Sequence, residues 1–334
     1  MHAEGLDLDS CPICRLGFLG ETGFSVSIPD VLHRWEAATH KPLSEKVWED
    51  YKRVGNEPVK LFECSECGFG RFHPILPGTE SFYEAISAVD YYNADKWEFT
   101  RASHDIAASG SKRVLDVGCG SGIFLDFLRK KIPGADLFGF DLNAELLRGL
   151  NARGFGTLPN DPAKFHEAMA GKPLFDVISM LQVLEHVADP VEFLQTFLPL
   201  LRPGGLLIIT TPNFDGPIRK FGDALTEVPP HHTTRWTEKS FRSLLPLNGL
   251  TLQNVSFEPL PDYLWDSYLP EVWDEPIWPT RIFDPLARRR GLVTVGERSG
   301  MAAQAMRSAG IRWLEGVPGH TIYVAAHHMR AKND

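Results

Sequence analysis

The sequence predicts an α/β protein in which a doubly wound parallel sheet follows a small cysteine-bearing head. Strand-like and helix-like segments alternate from residue 111 onward, which is typical of parallel strands joined by right-handed helical crossovers. A glycine turn directly follows the first of these strands and opens an apolar helix. Two Cys-x-x-Cys pairs lie upstream, before residue 70, and set the head apart from the alternating region.

The composition is that of a globular protein with ample core. Of 334 residues, 43% are hydrophobic and 23% charged, and no run approaches the roughly 18 apolar residues of a membrane helix. The formal charge of −9 argues against a broad nucleic-acid surface. Residues 1–10 lack the basic and apolar regions of a secretory signal. We therefore expect a cytoplasmic protein of about two domains.

The glycine turn lies in residues 114–122, Val-Leu-Asp-Val-Gly-Cys-Gly-Ser-Gly. Alternating glycines let a ligand contact the backbone where a Cβ would collide, and the following helix aims free N–H groups at the turn. The spacing is not that of a dinucleotide fingerprint, whose last glycine would fall at Ile123. Asp116 precedes the first glycine, and this carboxylate suits a cofactor with a cationic amino-acid tail.

A second acid, Asp141, ends the next apolar run and lies 21 residues after Gly120. This is where an adjacent parallel strand ends and where a carboxylate can accept hydrogen bonds from both hydroxyls of a ribose. The two acids and the glycine turn together predict a site for an adenosine-type cofactor.

Three segments resemble those of class I S-adenosylmethionine-dependent methyltransferases: the glycine turn, residues 175–187 with Glu185-His186, and residues 201–213 with a Pro-Gly-Gly turn. The resemblance covers roughly residues 111–255. It implies a seven-stranded Rossmann-like sheet whose sixth strand is residues 250–257 and whose seventh, residues 320–327, is inserted antiparallel. It also implies S-adenosylmethionine as cofactor, bound by Tyr92, Asp116, Gly118, Cys119, Gly120, Gly122, Asp141, Leu142, Asp161, Leu181 and Gln182.

The other four cysteines, Cys11, Cys14, Cys64 and Cys67, form the two upstream pairs. In a cytoplasmic protein such pairs favour zinc over disulfides, and four thiolates complete a closed tetrahedral site. The 49 residues between the pairs exceed what a minimal ribbon needs, so a redox pair or unligated core cysteines stay open. Cys119 is expected to be a small side chain in the turn and not a nucleophile.

The head is similar to that of a zinc-ribbon-headed methyltransferase subfamily, in the knuckle 64–68, the proline turn 74–77 and the pair Tyr91-Tyr92. We expect a zinc-binding head at 1–78, a helical linker at 79–110 and a methyltransferase domain at 111–334. Within the last, residues 259–317 are rich in tryptophan and proline and predict a substrate-side lid or an oligomer contact. The run Arg288-Arg289-Arg290 is typical of a solvated face, with contact to an anionic substrate or membrane surface as the alternative.

Methyl transfer from a sulfonium requires alignment with the acceptor, and it requires a base only where the acceptor holds its proton. Glu185 and His186 lie at the end of the fourth strand, which faces the methyl group in this fold. His231 and His232 match a recurring motif of the zinc-headed subfamily. These four residues are the catalytic candidates, and anchoring of loops is the alternative role for the histidines. A metal held by His231 and His232 has no obvious third ligand in the sequence.

The resemblance implies methyl transfer to a small-molecule or glycan acceptor, with a hydroxyl as the expected methyl acceptor. A sugar C-methyltransferase, an rRNA methyltransferase and a non-catalytic cofactor-binding scaffold are the alternatives. The acidic balance and the absence of an Asn/Asp-Pro-Pro-Tyr element argue against rRNA. The intact acids and glycine turn argue against a scaffold.

Overall fold

The computed structural model describes residues 10–86, 96–216, 218–219, 222–273 and 295–329. The strands are β1 (Leu19–Val26), β2 (Val59–Cys64), β3 (Gly70–His73), β4 (Arg113–Val117), β5 (Asp136–Phe140), β6 (Gly156–Thr157), β7 (Phe175–Leu181), β8 (Leu201–Pro212), β9 (Thr234–Arg235), β10 (Leu250–Pro261) and β11 (Trp313–His328). The α-helices are α1 (Ile28–Thr39), α2 (Glu45–Tyr51), α3 (Glu80–Ile86), α4 (Trp97–Ala108), α5 (Ile123–Lys131), α6 (Ala144–Ala152), α7 (Phe165–Met169), α8 (Pro190–Phe197), α9 (Glu238–Leu247), α10 (Trp265–Trp273) and α11 (Val295–Ser308).

The central sheet has seven strands in the order β10-β11-β8-β7-β4-β5-β6. Strands β8, β7, β4, β5 and β6 are parallel, and β11 runs antiparallel between β8 and β10. This confirms the predicted α/β sheet, including the antiparallel last strand. The carboxyl ends of β4, β5 and β7 therefore meet at one edge, where ligands bind in open α/β sheets.

Both faces of the sheet are buried, as a doubly wound fold requires. Leu115, Ile178 and Ile209 pack into one apolar cluster. Their chain neighbours Val114, Val177 and Ile208 pack into a second cluster. Because successive side chains of a strand point to opposite faces, these pairs show that helices cover the sheet on both sides.

Helix starts follow local capping rules and fix the strand-to-helix turns. The Asn143 side chain accepts hydrogen bonds from the N–H groups of Glu145 (2.9 Å) and Leu146 (3.3 Å) and so begins α6. Asp189 caps α8 in the same way, with Pro190 at the first helical position. The turns after β5 and β7 are thereby held at the ligand-binding edge.

The head is a four-stranded antiparallel sheet in the order β1-β2-β3-β9. Its last strand comes from the distant segment that follows β8, with Arg71 of β3 opposite Thr234 of β9. The Thr237 hydroxyl also donates to the carbonyl of Cys67 at 2.7 Å. The head and the central sheet thus share chain segments, and the domain boundaries stay a prediction.

The segment between β10 and β11 contributes α10 and α11. Trp265 and Leu269 of α10 pack against Ala303 of α11, and the Trp265 indole donates to the Leu260 carbonyl at 3.1 Å. The lid and oligomer roles stay predictions. The predicted Tyr91-Tyr92 element and the run 288–290 lie outside the described residues. Within the described ranges, no helix is both long and apolar enough to cross a bilayer.

Candidate active site

The glycine turn after β4 adopts backbone conformations that side chains rarely take. Gly118, Gly120 and Gly122 have φ values of +70°, +52° and +80°. The N–H groups of Gly118 (2.8 Å) and Cys119 (3.0 Å) donate to the Phe140 carbonyl, which ties the turn to β5. A Cβ on Gly118 would lie 2.6 Å from Val183 Cγ2, so the turn also packs closely against the loop after β7.

Asp116 lies beneath this turn and is 3% exposed. The Ser179 hydroxyl donates to its Oδ1 at 2.7 Å. Burial, with a smaller contribution from the charge of Asp141, raises the pKa of Asp116 to about 7. A cation bound nearby would therefore strongly stabilise the ionised form of Asp116.

Asp141 is brought directly to the glycine turn. Its Oδ2 accepts from the Gly120 N–H at 2.9 Å and its Oδ1 accepts from the Asn143 N–H at 2.9 Å. Each carboxylate oxygen keeps a second lone pair for a ligand hydroxyl. The next residue, Leu142, is 71% exposed and offers an apolar surface at the same edge.

The remaining predicted cofactor residues differ in position. Gln182 takes a positive φ of +57°, and its N–H donates to the Thr210 carbonyl at 2.9 Å, which turns the chain sharply after the half-buried Leu181. Asp161 caps a short helix by accepting from the Ala163 N–H at 3.1 Å, and within the described ranges no hydrogen bond joins it to the glycine turn. Tyr92 lies outside the described residues.

The side chain of Cys119, within the turn, is buried, and burial raises the pKa of its thiol above the ordinary range. A raised pKa favours the neutral thiol over the nucleophilic thiolate, and the expected role of Cys119 as a small side chain in the turn stays a prediction. A Cβ on Gly139 would lie 2.7 Å from its sulfur, which shows how closely β5 packs against it.

Three histidines from two distant segments meet beside the end of β7. The ring centroid of His186 lies 4.7 Å from those of His231 and His232, and the latter two are 4.5 Å apart. Burial lowers the pKa of His186 to about 4 and lowers the pKa values of His231 and His232 as well. The three rings are therefore neutral at physiological pH.

Hydrogen bonds hold the two segments together. The Thr233 N–H donates to the Glu185 carbonyl at 2.7 Å, and the Thr234 hydroxyl donates to the Leu184 carbonyl at 3.0 Å. These bonds fix the loop after β7 against the segment that contains β9, the last strand of the head sheet. Sequence reasoning named His186, His231 and His232 separately, and the structure brings them into one cluster.

Buried acids surround the histidines. Glu185 is 1% exposed, and burial raises its pKa well above the ordinary value. Glu227 faces His232 at 3.3 Å and His320 at 3.6 Å. The sequence analysis missed Glu227 and His320, as well as Tyr83, whose hydroxyl lies 3.1 Å from His186 Nδ1. No motif marks these three residues, because only the tertiary contacts bring them to the cluster.

The four cysteines of the head are buried and converge as predicted. Their sulfurs all lie within 4.8 Å of one another, with Cys11–Cys67 at 3.8 Å and Cys14–Cys64 at 3.6 Å. A tetrahedral zinc ion with bonds of about 2.3 Å requires sulfurs about 3.8 Å apart. The Glu66 and Cys67 N–H groups point to Cys64 Sγ at 3.4 Å, as in a knuckle around a thiolate. The donor set therefore fits zinc.

The sheet, the glycine turn and the acid pair define an S-adenosylmethionine-dependent methyltransferase. A family model described as a methyltransferase domain matches residues 67–255, more than half of the chain, and the chain belongs to that family.

Its named relatives include O-methyltransferases. The ubiquinone biosynthesis O-methyltransferase of Psychrobacter cryohalolentis is 31% identical over 151 residues, which cover 43% of this chain and 56% of that protein. The enzyme of the same name from Pectobacterium carotovorum is 39% identical over 106 residues, covering 30% of this chain and 44% of that protein. The chain thus spans about half the length of the curated relatives it matches.

Solved structures of similar fold include the plantazolicin methyltransferase BpumL in complex with a pentazolic desmethylPZN analogue and SAH. It is 19% identical, with a TM-score of 0.45 and coverage of 74% of this chain and 91% of that chain. A methyltransferase-type structure from Bacillus halodurans is 16% identical, with a TM-score of 0.44 and coverage of 70% and 100%. At identities and TM-scores this low, these similarities carry no inference about this chain.

Proposed function

We propose that this enzyme transfers the methyl group of S-adenosylmethionine to a hydroxyl of a small-molecule acceptor. The observation that carries the proposal is the cluster of buried Glu185, His231 and His232 with half-buried His186, at the loop that packs on the glycine turn. The similarity to named O-methyltransferases supports a hydroxyl as the acceptor. The glycan acceptor, the sugar carbon and rRNA find no support in these relatives. Location in the cytoplasm stays a prediction.

The cofactor residues have separable roles in this proposal. Asp141 would accept hydrogen bonds from the ribose hydroxyls through the lone pairs that Gly120 and Asn143 leave open. Asp116 would supply negative charge for the ammonium of the methionine tail, and Leu142 an apolar surface for the adenine. Glycine at 118 lets the turn pack on the loop after β7, because a Cβ there would lie 2.6 Å from Val183 Cγ2.

The bound cofactor supplies a methyl group on a sulfonium for in-line displacement by an oxygen lone pair. The chain must then orient the acceptor, exclude water and remove the hydroxyl proton. The Glu185 carboxylate and the neutral imidazole of His186 are the candidate proton acceptors. The buried Trp265 and Tyr268 of α10 help to exclude water from this region if the segment serves as a lid.

The cofactor half of the proposal is tested by Asp141→Asn. The amide keeps the shape but loses the charge and one acceptor, and hydrogen bonds to charged groups contribute about 1.5–3 kcal/mol each. We expect the dissociation constant for S-adenosylmethionine, measured by calorimetry, to rise by about tenfold to 100-fold. Asp136→Asn, at the other end of the same strand, is the matched control and should bind normally. Wild-type preference for NAD, or unchanged affinity in Asp141→Asn, would contradict the assignment.

The acceptor half is tested by Glu185→Gln. If this carboxylate receives the acceptor proton, turnover falls by about 10²-fold or more while cofactor affinity stays unchanged. The measurement is release of S-adenosylhomocysteine with a panel of phenols, polyols and lipid alcohols. Glu192→Gln, an exposed change at the start of α8, is the control. Full turnover in Glu185→Gln with a confirmed acceptor rules out this role.

We also propose that Cys11, Cys14, Cys64 and Cys67 bind a structural zinc ion. The sulfur separations and the N–H groups directed at Cys64 support this proposal. The site is closed by four protein ligands, so it would stabilise the head and would not take part in methyl transfer.

A further inference from the structure

The histidine cluster brings together three potential metal ligands, whereas the sequence alone indicated two. His231 and His232 lack an obvious third partner in the chain order, but the fold places His186 beside them. One ring nitrogen of each of the three residues lies within 4.8 Å of the others. A divalent ion with bonds of about 2.0–2.1 Å needs nitrogens roughly 3.3 Å apart, so the rings would move closer together on binding one.

The hydrogen bonds of the cluster select one nitrogen of each ring. His186 Nδ1 lies 2.7 Å from the His231 carbonyl, and His231 Nδ1 lies 2.9 Å from the Thr226 carbonyl. His232 Nδ1 lies 3.3 Å from the Glu227 carboxylate. Metal-binding histidines characteristically donate their second N–H to a carbonyl or carboxylate, which fixes the tautomer and the ring orientation. The Nε2 atoms are then the nitrogens that would bind an ion.

Glu185 provides an independent observation. It is 1% exposed, and among the described residues neither carboxylate oxygen has a hydrogen-bond partner. Its Oε1 lies 3.9 Å from His186 Nε2, on the side of the ring that faces the proposed ion. A carboxylate buried without a partner is costly, and a bound cation removes this cost.

The contrast with Asp116 sharpens this point. Asp116 is also buried, but it accepts a hydrogen bond from the Ser179 hydroxyl. Glu185 has no comparable donor within the described chain. Its Oε1 lies near His186 Nε2, and the other nitrogen of that ring, Nδ1, is hydrogen-bonded to the His231 carbonyl. A purely structural histidine cluster would leave the Glu185 carboxyl group without a hydrogen-bond partner among the described residues.

We propose that His186, His231 and His232 bind a divalent transition metal ion, with Glu185 as the adjacent carboxylate. Three imidazoles suit Zn²⁺, Co²⁺ or Fe²⁺ and disfavour Mg²⁺ and Ca²⁺, which prefer oxygen ligands. Three protein nitrogens leave at least one position open. This site is distinct from the closed cysteine cluster of the head, so the chain carries two metal sites of different chemistry.

The role of the ion rests on the proposed O-methylation. The acceptor hydroxyl would occupy the open position, where a divalent ion lowers its pKa. The hydroxyl proton passes to Glu185, the oxygen forms a bond with the methyl carbon, and the carbon–sulfur bond breaks to leave the thioether. Acceptors with a hydroxyl able to reach the ion are therefore the expected substrate class.

Cobalt titration of the chelator-treated full-length protein tests the site without cofactor or acceptor. Equilibrium dialysis at micromolar free Co²⁺ should give two ions per chain. Only cobalt bound at the cysteine site should give thiolate-to-metal charge-transfer absorption bands. In His186→Gln the stoichiometry should fall from two to one while the thiolate bands remain unchanged. The exposed change His104→Gln is the matched control and should keep two ions.

The thiolate bands also report folding, so a variant that has lost its structure is recognised. If His186→Gln does not fold, the single change His232→Asn gives the same test from the other segment. One ion per chain in the wild type, or two ions in both folded variants, overturns the proposal. Because no methyl transfer is measured, this result is independent of whether the acceptor proves to be a hydroxyl.

Discussion

Replacement of Cys64 by serine is expected to abolish the proposed zinc site of the head and to lower the melting temperature by about 10 °C or more. The binding free energy of a structural zinc ion is folding free energy, so losing it costs on the order of 5 kcal/mol. Domains of 150–250 residues lose roughly 2–4 °C of melting temperature per kcal/mol, which gives a shift of about 10 °C or more. Calorimetric scanning with metal analysis checks the result.

The loss should also reach the active site. The knuckle carbonyl of Cys67 holds Thr237, and β3 pairs with β9 through Arg71 and Thr234. His231 and His232 lie just before this strand, so loosening the head displaces two histidines of the cluster. We expect turnover to fall by about tenfold or more, because small displacements of a catalytic group are costly.

Cys119→Ser provides the control for this experiment. Cys119 lies in the cofactor turn and not among the four clustered thiols, so this variant should keep the thiolate-bound ion. Cobalt substitution separates the two sites, since Cys64→Ser should lose the thiolate charge-transfer bands alone. Absence of these bands in the wild type, together with an unchanged melting temperature in Cys64→Ser, would show that the cysteines are unligated core residues.

The arrangement of the proposed cofactor site was predictable because its determinants are local in sequence. Asp116 lies near the end of β4, the glycine turn follows β4, and Asp141 follows β5, so all three lie at the ligand-binding edge. Parallel strands bring those ends together without further information. The two cysteine pairs were predictable for a related reason, since the spacing within each Cys-x-x-Cys pair already forms half of a tetrahedral site.

The histidine cluster could not be assembled from the sequence. His186 and His231 are brought together by the pairing of β9 with the head and by the bonds from Thr233 and Thr234 to the loop after β7. These contacts join segments that are separated in the chain by α8, β8 and a long loop. Periodicity does not specify such a pairing, because β9 has only two residues and no alternating pattern. Glu227 was missed for the same reason.

Gly118→Ala is expected to raise the dissociation constant for S-adenosylmethionine by about tenfold to 100-fold. The new Cβ would lie 2.6 Å from Val183 Cγ2 and 3.3 Å from Cγ1, so the loop after β7 must move. That loop begins with Gln182 and continues to Glu185 and His186. Its displacement would disturb the cofactor and acceptor sides together.

Alanine at the positive φ of Gly118 also costs conformational free energy, and this effect must be separated from the steric contact with Val183. Gly171→Ala offers the control, because Gly171 has a φ of +68° and no atom within 4 Å of its added Cβ. Both variants should lose about 1–2 kcal/mol of stability from the left-handed conformation. Only Gly118→Ala should lose cofactor affinity in calorimetry.

The double variant Gly118→Ala/Val183→Ala separates the two causes within the site itself. Truncating Val183 removes both methyl carbons that the new Cβ would contact, so affinity should recover by several-fold while the backbone cost remains. Recovery would show that the loop after β7 transmits the damage to the cofactor pocket. Normal affinity in the single variant would instead mean that the turn does not contact the cofactor closely, and the assignment of Gly118 would fail.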